Sequence, residues 1–96
     1  MEKSELITLR TTKKVADLLE KLTSLENRKI SDEARLVMEV GIKERLKQIA
    51  LERYMKKEVT LEKAAEIAEI SVWEMVELLE NKKIPYNLDI GAITGE

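Results

Sequence analysis

Ninety-six residues, 44% of them hydrophobic, suffice for one small domain or for two subdomains that share a core. The chain has no cysteine and no histidine, which excludes disulfides, thiol nucleophiles, the usual zinc sites and the commonest general base. No apolar run approaches the roughly 20 residues of a membrane span, and the first residues lack the basic-then-apolar order of a signal peptide. We therefore expect a soluble, cytoplasmic protein with no membrane partner.

The net charge of −2 conceals an asymmetry along the chain. Residues 1–57 carry 14 basic and 10 acidic side chains, a net charge of +4, whereas residues 58–96 carry 3 and 9, a net charge of −6. This difference indicates different partners for the two halves, although solvated faces rich in Lys and Glu also vary in sign by chance. The charged fraction of 38% is compatible with a thermophilic source.

The stretch Glu5–Thr11 has the one convincing β-strand pattern in the chain. A single strand has no ladder partner in its own molecule, so the sequence predicts an obligate homodimer in which two copies complete an antiparallel ribbon. Because side chains alternate along a strand, Leu6, Thr8 and Arg10 are expected on the outer face of that ribbon.

Two helices are predicted next. Thr12 is the expected N-cap of a first helix that ends near residue 26, and Ser31 is the expected N-cap of a second that runs to about residue 55. The second helix is apolar over so much of its circumference that we expect burial on more than one side. Gly41 within it marks either a close helix crossing or a local irregularity.

Two shorter helices complete the predicted elements. Thr60 is the expected cap of a third helix, and Ser71 with Glu74 forms a capping-box pattern that opens a fourth helix over about residues 72–81. Trp73 is expected in the core more than as an exposed anchor for a partner, although tryptophan is enriched at interface hot spots.

The order of strand, helix, break and capped helix resembles the ribbon-helix-helix repressors of the Arc, MetJ and CopG kind over about residues 5–50. The matching positions are Ile7–Thr12, Val15, Leu18, Leu19 and Ile30–Ala34. The resemblance implies that the ribbon enters the DNA major groove, where Leu6, Thr8 and Arg10 read base edges.

The same resemblance implies phosphate contacts at the start of the second helix. They would come from Ser31, with Arg28 and Lys29 just ahead of it, although Asp32 and Glu33 stand where a phosphate would approach. Two further candidates follow from charge alone. Lys13 and Lys14 occupy the first turn of the first helix, where a cation is unfavourable, so they are either phosphate contacts or simply solvated lysines.

The second half has a resemblance of its own. Its strings KAAEIAEIS, WEMVELL and IPYN resemble a small archaeal and bacterial family of antitoxin-like proteins, commonly encoded beside PIN-domain ribonuclease toxins. The candidate partner-binding residues are apolar or aromatic: Trp73, Tyr86, Leu88, Ile90 and Ile93.

The same segment also resembles a helix-turn-helix, with Ala65 at the tight helix contact. Glu69 stands where that motif usually has glycine, and the would-be recognition helix carries Glu74, Glu77 and Glu80, which would repel phosphates. We therefore interpret this segment as a scaffold or a protein-binding module.

The predicted fold is mainly α. It combines a ribbon-helix-helix intertwined homodimer over residues 1–50, a helix-turn-helix-like segment over 51–85 and an extended tail over 86–96. The predicted function is a DNA-binding antitoxin that represses its own operon. Its partners would be a second copy, with possible higher-order assembly on DNA, an operator duplex and a PIN-type ribonuclease toxin. The alternative is a protein-interaction or dimerisation module that does not bind DNA.

An enzyme is the weakest hypothesis. Glu62, Glu66 and Glu69 fall on neighbouring turns and could hold a hard cation, but solvated helix charges explain them better. We expect no catalytic residue, no cofactor and no metal.

Overall fold

The structure, a computed structural model, describes residues 5–86. These residues form four α-helices: α1 over Lys13–Glu26, α2 over Ile30–Met55, α3 over Leu61–Ala68 and α4 over Val72–Asn81. The chain divides into two compact units, Met1–Met38 and Glu39–Glu96, and α2 crosses the boundary between them.

The predicted β-ribbon is wrong. Residues 5–12 have no regular secondary structure and are exposed, with Leu6 at 93% exposure, and no strand is present anywhere in residues 5–86. Alternation of apolar and polar residues is compatible with a strand but does not create one, because a strand exists only where another backbone completes its ladder. The described part of the chain supplies no such backbone. The fold is therefore four-helical, and the ribbon-helix-helix class is not observed.

The helix starts follow local hydrogen bonding and largely confirm the predicted caps. The hydroxyls of Thr12, Thr60 and Ser71 each accept a bond, at 3.1 Å, from the backbone N–H three residues on. At α4 the Glu74 carboxylate also accepts from the Ser71 N–H at 3.4 Å, which completes the capping box. Ser31 is the exception, because α2 already begins at Ile30 and Ser31 lies within its first turn.

Each of the four described helices is followed by a residue in the left-handed (αL) backbone conformation. Asn27, Lys57, Glu69 and Lys83 follow the four helices and have φ values of 53°, 62°, 60° and 58°. In each case the next residue donates its N–H to a carbonyl five positions back, at 2.9–3.1 Å, as in a Schellman motif. None of these four residues is glycine, although glycine adopts this conformation most easily.

The hydrophobic core lies in the second unit. Three small residues of α3, Ala64, Ala65 and Ala68, are buried and leave room for the large side chains of α4, of which Met75 and Leu79 are fully buried. The remaining buried apolar residues of the described chain are Ala50, Leu51, Leu61 and Val76.

The helices of the first unit bury almost nothing. No residue of α1 is buried, and Glu33 is the one buried residue described before Met38. Within the single chain α2 is not buried on several sides, since Val37, Val40 and Ile42 are exposed, and its burial at the centre of a dimer stays a prediction. A Cβ built on Gly41 meets no atom within 4 Å, so the glycine does not mark a close helix crossing among the described residues.

Candidate protein-binding surface

The exposed side of α4 carries an aromatic side chain beside a row of carboxylates. Met75, Val76 and Leu79 point into the core, which turns Trp73 and the glutamates to solvent. The prediction that Trp73 belongs to the core is wrong, because its side chain is 64% exposed. We call the surface formed by Trp73, Glu74, Glu77 and Glu80 the α4 face.

Two of these carboxylates border a cleft of about 230 Å³. Glu74 uses its Oε1 atom in the capping box, whereas Glu77 makes no hydrogen bond or ion pair with any described residue. The cleft is lined by Lys47, Ile70, Glu74, Glu77, Leu78 and Asn81. The lining is therefore mostly polar, with Ile70 and Leu78 as its apolar part, and Lys47 borders it together with the unpaired carboxylate of Glu77.

Glu80 connects the α4 face to the residues that follow the helix. The Tyr86 hydroxyl donates to the Glu80 carboxylate at 3.1 Å, and this bond is the main cause that raises the pKa of Tyr86. Tyr86 also lines a groove of about 710 Å³ together with Tyr54, Met55, Lys57, Val59, Ile84 and Pro85. The other predicted partner-binding residues, Leu88, Ile90 and Ile93, lie outside the described residues.

The α3 and α4 helices pack against each other across a short turn. Ala65 is buried at their contact and Glu69 takes the left-handed turn position, as the helix-turn-helix resemblance implies. The α4 sequence contains no Lys or Arg, and three glutamates lie on its exposed side. Such a helix meets phosphates with like charge, so it suits a protein partner better than DNA.

The residues predicted to read DNA bases are not assembled into a ribbon. Leu6, Thr8 and Arg10 all lie in the irregular segment before α1 and are exposed. Their side chains remain accessible, but no described element fixes their spacing.

Some of the residues predicted to contact phosphates pair with a carboxylate of the chain, and others do not. Lys13 pairs with Asp17 at 3.1 Å on the α1 surface, and Arg28 lies 3.6 Å from the Glu33 carboxylate. Lys14 and Lys29 are exposed and make no ion pair with any described residue. Ser31 is exposed within the first turn of α2.

Sequence reasoning missed the most unusual polar residue of the first unit. In the sequence Glu33 stands where a phosphate would approach the start of α2, yet its side chain is 1% exposed. Its environment is formed by Glu26 and Arg28 across the α1–α2 turn. Spacing alone gives no signal for such a contact, because the turn geometry decides which side chains meet.

No three carboxylates lie close enough together in residues 5–86 to hold a metal ion. Over the same part of the chain, no helix combines the length and apolarity needed to cross a membrane.

Residues 7–96 match the uncharacterised protein family UPF0175. The chain belongs to this family. The UPF0175 match includes all four helices, so the family comprises both compact units rather than one of them. No curated protein and no solved structure shows significant similarity to the chain. The family description names no activity, so a function for UPF0175 has to be argued from the surface of the molecule.

Proposed function

We propose that this UPF0175 protein is an antitoxin that binds and neutralises a basic protein toxin through the α4 face. The observation that carries the proposal is Trp73, which is 64% exposed and surrounded by Glu74, Glu77 and Glu80. The partner we propose is a PIN-type ribonuclease, the class of toxin that the C-terminal sequence resemblance implies.

The exposed indole supports a protein interface. Tryptophan supplies a large rigid contact area and is the residue most enriched among interface hot spots. Trp73 contributes little to the stability of the free chain, since most of its surface faces water. Burial against an apolar pocket of a partner would remove that surface from water and contribute about 2 kcal/mol or more to binding.

The charge around the indole supports a basic partner. A ribonuclease binds a polyanion, so its substrate cleft carries positive potential. Glutamates that approach such a cleft accelerate association and occupy the region where RNA phosphates would bind. The same charges oppose binding of α4 to nucleic acid, which makes inhibition of a nucleic-acid-binding enzyme the better fit.

The Trp73→Ala variant tests the proposal. We expect the full chain to inhibit RNA cleavage by the product of a neighbouring PIN-type gene, and W73A to bind that ribonuclease at least about 30-fold more weakly, because a hot-spot tryptophan contributes about 2 kcal/mol. Isothermal titration calorimetry gives the affinity, and circular dichroism confirms that W73A is folded.

Glu77→Gln serves as the matched electrostatic variant. Because Glu77 has no partner in the described chain, we expect E77Q to retain its fold but to bind the ribonuclease with a lower association rate and a weaker dependence on salt. Equal affinities of the wild type and W73A would rule out the α4 face as the binding surface.

We also propose that two copies of the chain associate. The support comes from α1, a 14-residue helix with an amphipathic pattern and no buried residue. A helix of this length is marginal unless its apolar face is covered, and a second copy is always present at the same concentration as the first. This association requires no shared strand.

The second candidate function is repression of its own operon, with the dimer and further copies bound to an operator duplex. It is favoured by Arg10, Lys14 and Lys29, which are exposed and make no ion pair with any described residue. Three such cations from each copy can contact phosphates, and Thr8 lies within the same exposed segment.

Salt dependence tests the DNA hypothesis. We expect binding to the duplex upstream of its own gene to weaken steeply as salt rises, with Arg10→Gln lowering the affinity and Glu20→Gln, an exposed carboxyl on α1, leaving it unchanged or higher. Electrophoretic mobility shifts at several salt concentrations measure this. Binding that is absent at low salt would eliminate the operator role while leaving the antitoxin proposal intact.

A further inference from the structure

The exposed apolar side chains of α1 follow a heptad pattern. Val15, Leu18 and Leu25 are 51%, 54% and 74% exposed, and Leu22, on the same face, is half-buried. Their spacing of three, four and three residues is that of the a and d positions of a two-stranded coiled coil. We call these four residues the α1 seam. A stripe this narrow is complementary to the matching stripe of another helix.

The residues beside the α1 seam indicate which helix it binds. Lys14 and Lys21 occupy the g positions of the heptad pattern, and Leu19 and Glu26 occupy the e positions. Lys21 and Glu26 are exposed, and neither makes an ion pair with any described residue. A second copy of α1 supplies both a matching apolar stripe and the opposite charge for each of them.

The charged contacts differ between the two orientations of such a pair. In a parallel pair, a g residue lies beside the e residue five positions further along the other helix, so Lys21 of each copy meets the partner's Glu26. In an antiparallel pair, g residues lie beside g residues, so lysines meet lysines and Glu26 gains no cation. The charges therefore favour the parallel pair and disfavour the antiparallel one.

We propose that two copies of the chain pair through α1 as a short parallel coiled coil. The two α1 seams face each other, and Lys21 of each copy forms an ion pair with the partner's Glu26. This pairing rests on the self-association proposed above and specifies its surface and orientation. Two heptads bury little surface, so the dimer is expected to dissociate on dilution.

A parallel pair places the N-terminal ends of both α1 helices side by side. The axes of two packed helices lie about 8–10 Å apart. An antiparallel pair would separate the same ends by the length of a 14-residue helix, about 21 Å. Arg10 and Lys14 of both copies therefore lie at one end of the parallel pair, which brings together the cations that a polyanion such as the proposed operator contacts.

Single engineered cysteines test the orientation, because the chain has no cysteine of its own. In a parallel pair, Val15 and Leu25 each face the same position of the second copy. We therefore expect Val15→Cys and Leu25→Cys each to form a disulfide-linked homodimer in a glutathione redox buffer. In an antiparallel pair, position 15 faces position 25, so two copies of either cysteine lie about 15 Å apart, which no disulfide spans.

Ser24→Cys is the matched control for the cysteine variants. Ser24 is exposed on the polar side of α1, away from the α1 seam, so this variant is expected to remain reduced in the same buffer. Non-reducing electrophoresis and intact mass spectrometry of the 96-residue chain measure the linked fraction, and circular dichroism confirms that each variant is folded.

Reversal of one charge gives a second readout, which needs no disulfide. We expect Lys21→Glu to raise the dissociation constant of the dimer about threefold or more, because two attractive contacts become repulsive. The double variant Lys21→Glu with Glu26→Lys exchanges the charges and is expected to restore the wild-type value. Glu20→Lys, on the polar side of α1, is the control and is expected to leave it unchanged. Sedimentation equilibrium measures all four chains.

Two results would overturn the parallel pairing while leaving the proposed self-association intact. One is a wild-type dimer in which Val15→Cys and Leu25→Cys link only to each other in a mixture, which identifies an antiparallel pair. The other is a wild-type dimer in which neither cysteine forms a disulfide in any combination, which places the interface elsewhere. A wild-type chain that is monomeric at every concentration would refute the self-association and the pairing together.

Discussion

At the scale of single residues, the left-handed positions at the helix ends store unfavourable conformational energy. Glu69 has φ 60° and ψ 39°, where the Cβ atom of an L-residue crowds the following carbonyl. Its N–H nevertheless bonds the carbonyls of Ala65 and Glu66, so the position is required to end α3 and start the turn to α4.

Glu69→Gly is therefore expected to stabilise the chain by about 1 kcal/mol, because glycine adopts this conformation without steric cost. For a chain of this length, that gain raises Tm by about 4–8 °C. Differential scanning calorimetry measures the change.

Glu66→Gly is the control, since the same substitution three residues earlier lies inside α3, where glycine costs about 1 kcal/mol. Opposite signs for the two variants support the left-handed strain at Glu69. A lower Tm for both would show that the Glu69 side chain stabilises the turn in another way.

Residue-level predictions from the sequence mostly succeeded where a local bond decides the outcome, with the cap at Ser31 as the exception, and failed where tertiary packing decides it. Thr12, Thr60 and Ser71 cap their helices because the hydroxyl and the N–H it binds are only three residues apart. Trp73, which was expected in the core, is exposed, whereas the charged residue Glu33 is buried. Residue type sets only a preference for burial, and the surrounding elements decide.

At the scale of elements, α1 and α4 share an amphipathic pattern but differ in what covers them. The apolar side of α4 packs on α3, whereas Leu18 and Leu25 of α1 are exposed, the latter by 74%. The period of the pattern predicts a helix and identifies its apolar face, but it does not identify what covers that face.

The Leu18→Glu variant tests self-association through α1. We expect the wild-type chain to sediment at the mass of two copies and L18E to sediment as one, because a charge placed in the apolar face would have to be buried without a partner. Analytical ultracentrifugation over a range of concentrations measures the effect.

Ser24→Glu adds the same charge on the polar side of α1, where Ser24 is exposed, and is expected to leave the mass unchanged. If the wild-type chain is monomeric throughout the concentration range, a second copy does not cover the apolar face of α1.

At the scale of the whole molecule, the order and approximate bounds of all four helices were predictable, and the fold class was not. Helices close their hydrogen bonds within four residues, so periodicity and caps identify them. The ribbon expected at Glu5–Thr11 depended on a ladder with a distant backbone, and the described residues form none. The three glutamates of α4 were visible in the sequence, but the exposure of Trp73 beside them required the fold.

Trp73 is the single tryptophan of the chain, and its exposure determines which process tryptophan fluorescence can report. An indole already in water emits much as it does in an unfolded chain, so intrinsic fluorescence follows the melting of the Met75–Leu79 core poorly. Under the proposed function, a partner that covers the α4 face would move the same indole into an apolar environment. Ultraviolet excitation therefore makes the unlabelled chain a reporter of complex formation rather than of folding.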